Sequence, residues 1–258
     1  MSEPVPELSV VVPVHNEEGN VAPLVAEIVA ALERDPRLGR GRFEIVFVDD
    51  RSRDDTLARL RQAQAGTPEL RVLRHLDNAG QSAAIRTGVK AARAAWVATL
   101  DGDGQNDPAD IPRLLDERDR AAPDVRLFAG WRTDRKDSGS KRRASKWANA
   151  IRARMLRDAT PDTGCGLKLF ERAVFLDLPG FDHMHRYLPA LVQRAGWKTL
   201  SVPVSHRPRG SGVSNYGNLQ RALVGIRDLF GVAWLIARNR RTAVEEVERE
   251  REGTTAGR

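Results

Sequence analysis

Alternation between apolar runs and helix-type patterns constrains the fold of this chain more than any other feature of its sequence. Four segments have the short apolar pattern of buried strands: Leu8–Val14, 43–50, 70–75 and 95–101. Three segments between them have the spacing of helices: 18–34, 54–65 and 79–93. Strands that alternate with helices form a mostly parallel sheet with helices on both faces, and ligands bind at the carboxyl ends of the strands. We therefore predict an α/β fold with a binding site at that edge.

The length and the cysteine content limit the organisation of the chain. Its 258 residues, of which 41% are hydrophobic, can bury the core of one large domain with appendages, and tandem domains are not expected. Cys165 has no second cysteine to pair with, which indicates a reducing compartment. The first residues lack a secretory signal, and no apolar run reaches the roughly 18 residues that cross a bilayer. These features predict a cytoplasmic location.

Basic residues are concentrated in one segment. The net charge is +7, and residues 131–158 contain ten Lys or Arg against three Asp. Such a segment is either a solvated surface or a site for anionic lipid, phosphate or nucleic acid. Only Trp131 and Trp147 could stack on bases there, so nucleic acid is not the expected partner.

Two closely spaced carboxylates follow the fourth predicted strand, in the sequence Asp101-Gly102-Asp103-Gly104-Gln105. Carboxylates two residues apart at a strand end suit Mg²⁺ or Mn²⁺ bound to nucleotide phosphates, although the same sequence also forms simple turns. A calcium loop fits worse, because Asn106 replaces the required glycine and Pro112 the required glutamate.

Polar residues also follow the first two strands. The sets are His15, Asn16 and Glu17 after the first strand, and Asp49 and Asp50 after the second. Each could merely cap a helix, but clusters at successive strand ends favour a shared site. A dinucleotide-binding Rossmann site is excluded, because no glycine-rich turn follows the first strand, and a Walker loop is absent.

Four motifs in order resemble family-2 glycosyltransferases, especially the dolichol-phosphate mannose synthase and undecaprenyl-phosphate sugar transferase branch. They cover residues 11–17, 48–56, 78–84 and 101–108 within a resemblance that runs from about residue 8 to residue 238. The resemblance implies an inverting, metal-dependent enzyme with a GT-A type domain over residues 1–217. An amphipathic helix at 218–238 and a charged tail at 239–258 would follow.

The resemblance also assigns roles to individual residues. It places the nucleoside of a UDP- or GDP-sugar at Pro13, His15, Glu17, Val48 and Asp50. It places the metal and the diphosphate at Asp101, Asp103 and Gln105. A loop over residues 206–216 resembles one that closes on the donor, but Asn215 replaces the usual lysine. Arg207 and Arg209 are expected to compensate for the missing phosphate contact.

An acceptor phosphate is expected at a second group of residues. The resemblance assigns Arg132, Lys141 and Ser145 to it, and places residues 162–168 near the sugar, where we interpret Cys165 as a small buried residue. Family members with hydroxyl acceptors carry a carboxylate base where this chain has Met184 and His185. A phosphate needs no base, so His185 and Arg186 are expected to steer a polyprenyl phosphate. A hydroxyl acceptor with His185 as base is the alternative, and His183 is expected to be structural.

Apolar residues recur at helical spacing near the carboxyl terminus. They are Leu219, Ala222, Leu223, Ile226, Leu229, Phe230, Ala233, Trp234 and Ala237. This helix could cover the core or lie at the inner surface of the membrane, where a polyprenyl phosphate would be met. The sequence does not indicate the oligomeric state, the sugar or the nucleotide base.

Two other classes remain as rivals. A nucleotidyltransferase would need a glycine-rich loop with arginine after the first strand, which is absent. A non-catalytic adaptor would leave Asp101 and Asp103 without a role.

Overall fold

The centre of the protein is a seven-stranded sheet. The computed structural model describes residues 5–133, 151–158, 160–208, 218–240 and 242. The strands are β1 (Leu8–Val14), β2 (Phe43–Asp49), β3 (Leu70–Arg74), β4 (Trp96–Thr99), β5 (Val125–Arg132), β6 (Lys168–Glu171) and β7 (Lys198–Val204). Their order across the sheet is β3-β2-β1-β4-β6-β5-β7. Only β6 runs antiparallel to its neighbours, so the predicted mostly parallel α/β sheet is confirmed.

Seven helices cover the described part of the sheet. They are α1 (Val21–Glu33), α2 (Thr56–Gly66), α3 (Gln81–Ala91), α4 (Ile111–Arg120), α5 (Arg172–Asp177), α6 (Leu188–Arg194) and α7 (Asn218–Ala237). Residues 151–156 are also helical. The three helices and four strands expected before residue 101 all form, with ends that differ from the predicted ones by up to three residues.

Alternating side chains of β1 divide the core into two layers. Val10 and Val12 pack with apolar residues of α1, α2 and α4 on one face of the sheet. Val11 packs with residues of α3, α5, α6 and α7 on the other face. Because successive strand residues point to opposite faces, a strand that is apolar throughout must be covered on both sides.

Helix α7 presents different residues to the core and to solvent. Leu229, Val232, Ala233 and Ile236 pack against the core, whereas Ile226, Phe230 and Trp234 are 55%, 63% and 60% exposed. The side chains of residues 218–224 lie outside the described set, as does most of the 239–258 tail. In the part of the chain that the structure describes, no helix is long and apolar enough to cross a membrane.

Glycine 102 lets the loop after β4 pack directly on the end of β1. A Cβ atom at Gly102 would lie 2.8 Å from the carbonyl oxygen of Pro13 and 2.5 Å from Cγ1 of Val14. A backbone oxygen cannot move away cheaply, so a larger residue would lift the loop from the sheet. The fold thus places Asp101 and Asp103 beside the end of β1, on the same edge of the sheet as the end of β2.

Candidate active site

Asp50 directly follows β2 and fixes part of the rim, by which we mean the loops at the carboxyl ends of the parallel strands. Its buried carboxylate accepts hydrogen bonds from the backbone N–H groups of Ala79 (2.9 Å) and Gly80 (2.7 Å). Nδ1 of His75 lies 2.7 Å from the same carboxylate, and Nε2 of His75 lies 2.8 Å from the hydroxyl oxygen of Thr87. Asp50 therefore fixes the turn that leads into α3.

Replacing Asp50 with alanine is expected to weaken nucleotide binding by about 1–3 kcal/mol. The substitution removes the acceptor of two backbone N–H groups, so the turn before α3 loses its position and the protein loses thermal stability. Titration calorimetry with UDP and GDP measures the effect. Asp55→Ala, which removes an exposed carboxylate from the same loop, is the matched control. Unchanged affinity for both nucleotides in Asp50→Ala would refute the assignment.

The other residues assigned to the nucleoside differ in exposure. Nδ1 of His15 donates to the backbone oxygen of Asp50 (2.8 Å), and Oε2 of Glu17 accepts a hydrogen bond from Nδ2 of Asn20 (2.6 Å). His15 and Glu17 are half-buried and lie on the rim. Pro13 and Val48 are buried, and Val48 is fully enclosed in the core between β1 and α3. The side chain of Val48 therefore packs the sheet and does not reach the rim.

Asp101 and Asp103 are held in place by their neighbours. Asp101 Oδ1 accepts a hydrogen bond from Nε2 of Gln81 (2.7 Å), the first residue of α3. The Asp101 backbone N–H donates to Oδ1 of Asn106 (3.2 Å), and Oδ1 of Asp103 accepts from the backbone N–H of Gln105 (3.1 Å). Two carboxylates thus face the rim from one short loop.

The donor set suits a hard divalent cation. Burial and the neighbouring carboxylate of Asp103 raise the pKa of Asp101 to about 6, so a cation there would relieve charge repulsion. Within the described ranges, no group of three or more His, Cys, Asp or Glu side chains could hold a metal. Asp101 and Asp103 would thus be two ligands of a Mg²⁺ or Mn²⁺ ion that takes others from a diphosphate, and Gln105 stays a predicted ligand.

Metal binding is expected to weaken as the pH falls through about 6. Only the ionised carboxylate binds a cation, so below this pKa a proton competes with the metal at Asp101. Apparent affinity should decrease by up to about tenfold per pH unit below 6 and stay level above 7. The measurement is calorimetric titration with Mn²⁺ alone, since the terminal phosphate of a nucleotide titrates in the same range. Affinity that is constant from pH 5 to pH 8 would contradict this account.

Arg132 lies at the end of β5 in a bidentate ion pair. Its Nε and Nη2 atoms donate to the two carboxylate oxygens of Asp162 at 2.7 and 3.0 Å. The side chains are 15% and 6% exposed, and the pair with Asp162 raises the pKa of Arg132 despite its burial. Both Arg132 and Lys168 lie close enough to Asp101 to lower the pKa of that carboxyl. The cations therefore adjoin the proposed metal site.

Lys168 is a buried cation in the segment 162–168 that the resemblance placed near the sugar, although the sequence did not assign it a role of its own. It begins β6, its ammonium donates to the backbone oxygen of Cys165, and burial lowers its pKa. Its burial could have been expected from its position between Leu167 and Leu169. A lysine within an apolar run that is fully buried almost always has a partner for its charge. Cys165 itself is fully buried, which confirms its interpretation as a small packed residue.

His185 is neutral at physiological pH. Burial and the nearby charges of Lys168 and Arg186 lower its pKa to about 3. Its Nδ1 atom lies 2.7 Å from the hydroxyl oxygen of Ser82 in α3. Any contact of His185 with a phosphate would thus be a neutral hydrogen bond, and Arg186 would supply the charge in this turn.

Arg207 is held by two carboxylates at the start of the loop that follows β7. Its Nη1 atom lies 2.7 Å from Oε2 of Glu27, and its Nη2 atom lies 2.6 Å from Oδ2 of Asp107. Its backbone N–H donates to Gln105 (3.1 Å), so this loop adjoins the metal loop. Lys141, Ser145 and Arg209 lie outside the described residues.

Comparison with known sequences gives consistent matches. Residues 9–178 match the profile of "Glycosyl transferase family 2". Dodecaprenyl-phosphate galacturonate synthase of Rhizobium johnstonii is 38% identical over 89% of this chain and 67% of its own length. Undecaprenyl-phosphate 4-deoxy-4-formamido-L-arabinose transferase of Edwardsiella ictaluri is 35% identical over 81% of this chain. The chain spans 63% of that second relative.

A solved structure shares the fold. Glucosyl-3-phosphoglycerate synthase of Mycobacterium tuberculosis, in complex with Mn²⁺, UDP and glucosyl-3-phosphoglycerate, has a TM-score of 0.61 and 20% sequence identity. The match covers 90% of this chain and 79% of that one. At this identity the likeness concerns the architecture of the sheet and its helices.

Proposed function

Because the chain belongs to glycosyl transferase family 2, we propose that it transfers a sugar from a nucleotide diphosphate sugar to a polyprenyl phosphate. Both relatives described above carry a polyprenyl phosphate in their names, but they move different sugars. They therefore support the class of acceptor and leave the sugar open.

The observation that carries the proposal is the placement of cations beside the carboxylate pair. The turn at residues 164–166 brings them together. A Cβ atom at Gly166 would overlap the Asp101 carboxylate, one at Gly164 would lie 3.4 Å from Nη2 of Arg132, and the Lys168 ammonium donates to the backbone oxygen of Cys165. Asp162 takes one N–H each from Nε and Nη2 of Arg132, and the other N–H groups of the guanidinium can donate to a phosphate. Hard oxygen ligands suit a metal-bound diphosphate. The two reacting anions would thus be held in adjacent parts of one cleft.

The proposed reaction inverts the configuration at the anomeric carbon. An oxygen of the acceptor phosphate forms a bond to that carbon as the bond to the diphosphate oxygen breaks on the opposite side. A divalent metal, when bound, neutralises charge on the leaving diphosphate. Asp101 and Asp103 would hold this metal, Arg132 would orient the acceptor, and the rim residues His15, Glu17 and Asp50 would position the nucleoside.

The state of His185 favours a phosphate acceptor over a hydroxyl acceptor. A hydroxyl would need a general base, and an imidazole with a pKa of about 3 accepts a proton poorly at neutral pH. A phosphate oxygen is already anionic and needs no base. The low basicity of His185 therefore argues against the alternative in which it deprotonates an alcohol.

We further propose that the donor is a UDP- or GDP-sugar with Mg²⁺ or Mn²⁺, and that the reaction takes place at the cytoplasmic face of the membrane. The adjacent carboxylates of Asp101 and Asp103 support the metal, and the polyprenyl phosphates in the names of the relatives support a reaction at a membrane. The test is nucleotide release from a panel of UDP- and GDP-sugars, each with and without polyprenyl phosphate. At least one donor should be consumed faster with the lipid, and no stimulation with any donor would contradict the proposal.

A further inference from the structure

The outer surface of α7 carries a stripe of exposed apolar side chains. Ile226, Phe230 and Trp234 follow one another at intervals of four residues and are each more than half exposed. Residues four apart lie on adjacent turns of one helix face, so these three form a continuous ridge. We define Ile226, Phe230 and Trp234 as the outer stripe.

Arginines border the outer stripe on the side away from the core. At about 100° per residue, Arg227 and Arg238 fall just beyond Trp234 around the helix. Both are exposed, as is Arg240 past the helix end. We call Arg227 and Arg238 the cationic edge. Around the circumference of α7 the core-facing residues come first, then the outer stripe, and then the cationic edge. This order is typical of a helix that lies in the plane of a bilayer, with its aromatic residues among the acyl chains and its arginines at lipid phosphates.

The helix is joined directly to the turn that contains His185 and Arg186. Nδ1 of His183 lies 3.0 Å from Oδ2 of Asp228, and the hydroxyl of Tyr187 donates to the backbone oxygen of Gly225 (3.1 Å). These contacts fix the outer stripe relative to the acceptor side of the cleft. A membrane that covers the stripe would lie beside the residues proposed to meet the lipid phosphate.

The size of the outer stripe argues against a second copy of the chain as its partner. Three side chains of this exposure offer about 300–400 Å² of apolar surface. Each partner in a stable dimer buries roughly 800 Å², of which about 450–520 Å² is apolar. A bilayer needs no shape complementarity, and its anionic headgroups complement the arginine edge.

We propose that the outer stripe of α7 docks the protein on an anionic lipid bilayer, with the cleft beside the bilayer surface. The inference rests on the proposed function, because docking brings the protein to the membrane that holds its acceptor. The binding test described next does not depend on catalysis. Docking in this orientation would let a polyprenyl phosphate reach the cleft while its chain stays in the membrane.

Vesicle sedimentation tests the docking. The wild-type protein should sediment with equimolar phosphatidylcholine–phosphatidylglycerol vesicles and be released by salt, because charge attraction is screened beyond about 8 Å at physiological ionic strength. The double variant Phe230→Gln/Trp234→Gln should bind these vesicles about tenfold or more weakly. The matched control is Leu76→Gln, which changes an apolar residue that is 78% exposed elsewhere. Equal binding of the double variant and the wild type to the vesicles would overturn the proposal. It would also be overturned if ultracentrifugation showed that the wild type and Leu76→Gln are dimers and the double variant is a monomer.

A soluble acceptor separates docking from catalysis. Transfer to geranyl phosphate, which needs no membrane, should be the same in the double variant and the wild type, whereas transfer to vesicle-bound polyprenyl phosphate should fall in the variant. Equal loss with both acceptors would overturn the docking role. If the wild type used neither acceptor, the proposed function would fail, and the sedimentation result alone would decide the docking.

Discussion

Replacing Asp103 with asparagine is expected to lower turnover by roughly 10²–10³-fold, the cost of removing one electrostatic stabiliser from an active site. The substitution keeps the size of the side chain and its contact with the Gln105 backbone, but it removes one of two carboxylates from the metal loop. Charge on the departing diphosphate would then lack its compensation. The measurement is the steady-state rate over a Mn²⁺ titration, because weakened metal binding is partly rescued at high metal concentration.

Asp177→Asn, which neutralises an exposed carboxylate at the end of α5, is the control for a change of net charge. It should leave the rate and its dependence on metal unchanged. Full activity of Asp103→Asn in the presence of EDTA would refute the metal site.

Replacing Arg132 with alanine is expected to raise the KM for the acceptor phosphate by about 10–150-fold, from the 1.5–3 kcal/mol of a lost charge-assisted hydrogen bond. Donor affinity should not change, since the nucleoside residues lie beyond β1 and β2 and Arg132 ends β5. Kinetics with the acceptor and calorimetry with the nucleotide separate the two effects.

The alanine variant also removes the bidentate ion pair of the buried Asp162 carboxylate with Arg132, which costs stability. Arg132→Lys is therefore needed beside it, because lysine keeps a charge near Asp162 but cannot form the planar fork. It should fold with nearly normal stability and still show a raised acceptor KM. If the lysine variant had a normal acceptor KM, recognition of the phosphate by the guanidinium group of Arg132 would be excluded.

The sheet and the metal loop could be predicted because local pattern determines them. Apolar runs that alternate with helical spacing gave the first four strands in order, and the carboxylates fell at the end of β4 as expected. Strand β6 could not be predicted in the same way. It has four residues, and its antiparallel place between β4 and β5 depends on pairing across the sheet.

Residues whose role depends on burial were the least predictable. The resemblance placed Val48 at the nucleoside, but its side chain is enclosed in the core. Basic character suggested that His185 steers a phosphate by charge, yet burial beside Lys168 keeps it neutral. Both properties depend on residues that only folding brings together, and composition carries no information about them. Val48 is enclosed between β1 and α3, and Ser82, which contacts His185, is 103 positions away in sequence.

Helix α7 shows how two interpretations of one pattern can each describe part of a structure. The apolar spacing fitted either a helix that covers the core or one at a membrane surface. Leu229, Val232, Ala233 and Ile236 cover the core, and Ile226, Phe230 and Trp234 remain for a second surface. A single-face periodicity could not separate these sets, because together they span more than half of the helix circumference.

The central claim is that the acceptor is a phosphate, and the most direct test compares a polyprenyl phosphate with the polyprenol of the same chain length. Each would be incubated with the donor found in the nucleotide-sugar panel, and the product would be analysed by ³¹P and ¹³C nuclear magnetic resonance. We expect a glycosyl phosphodiester with inverted anomeric configuration from the phosphate and no product from the alcohol. A glycoside formed from the polyprenol at a comparable rate, and lost on replacement of His185, would contradict the account.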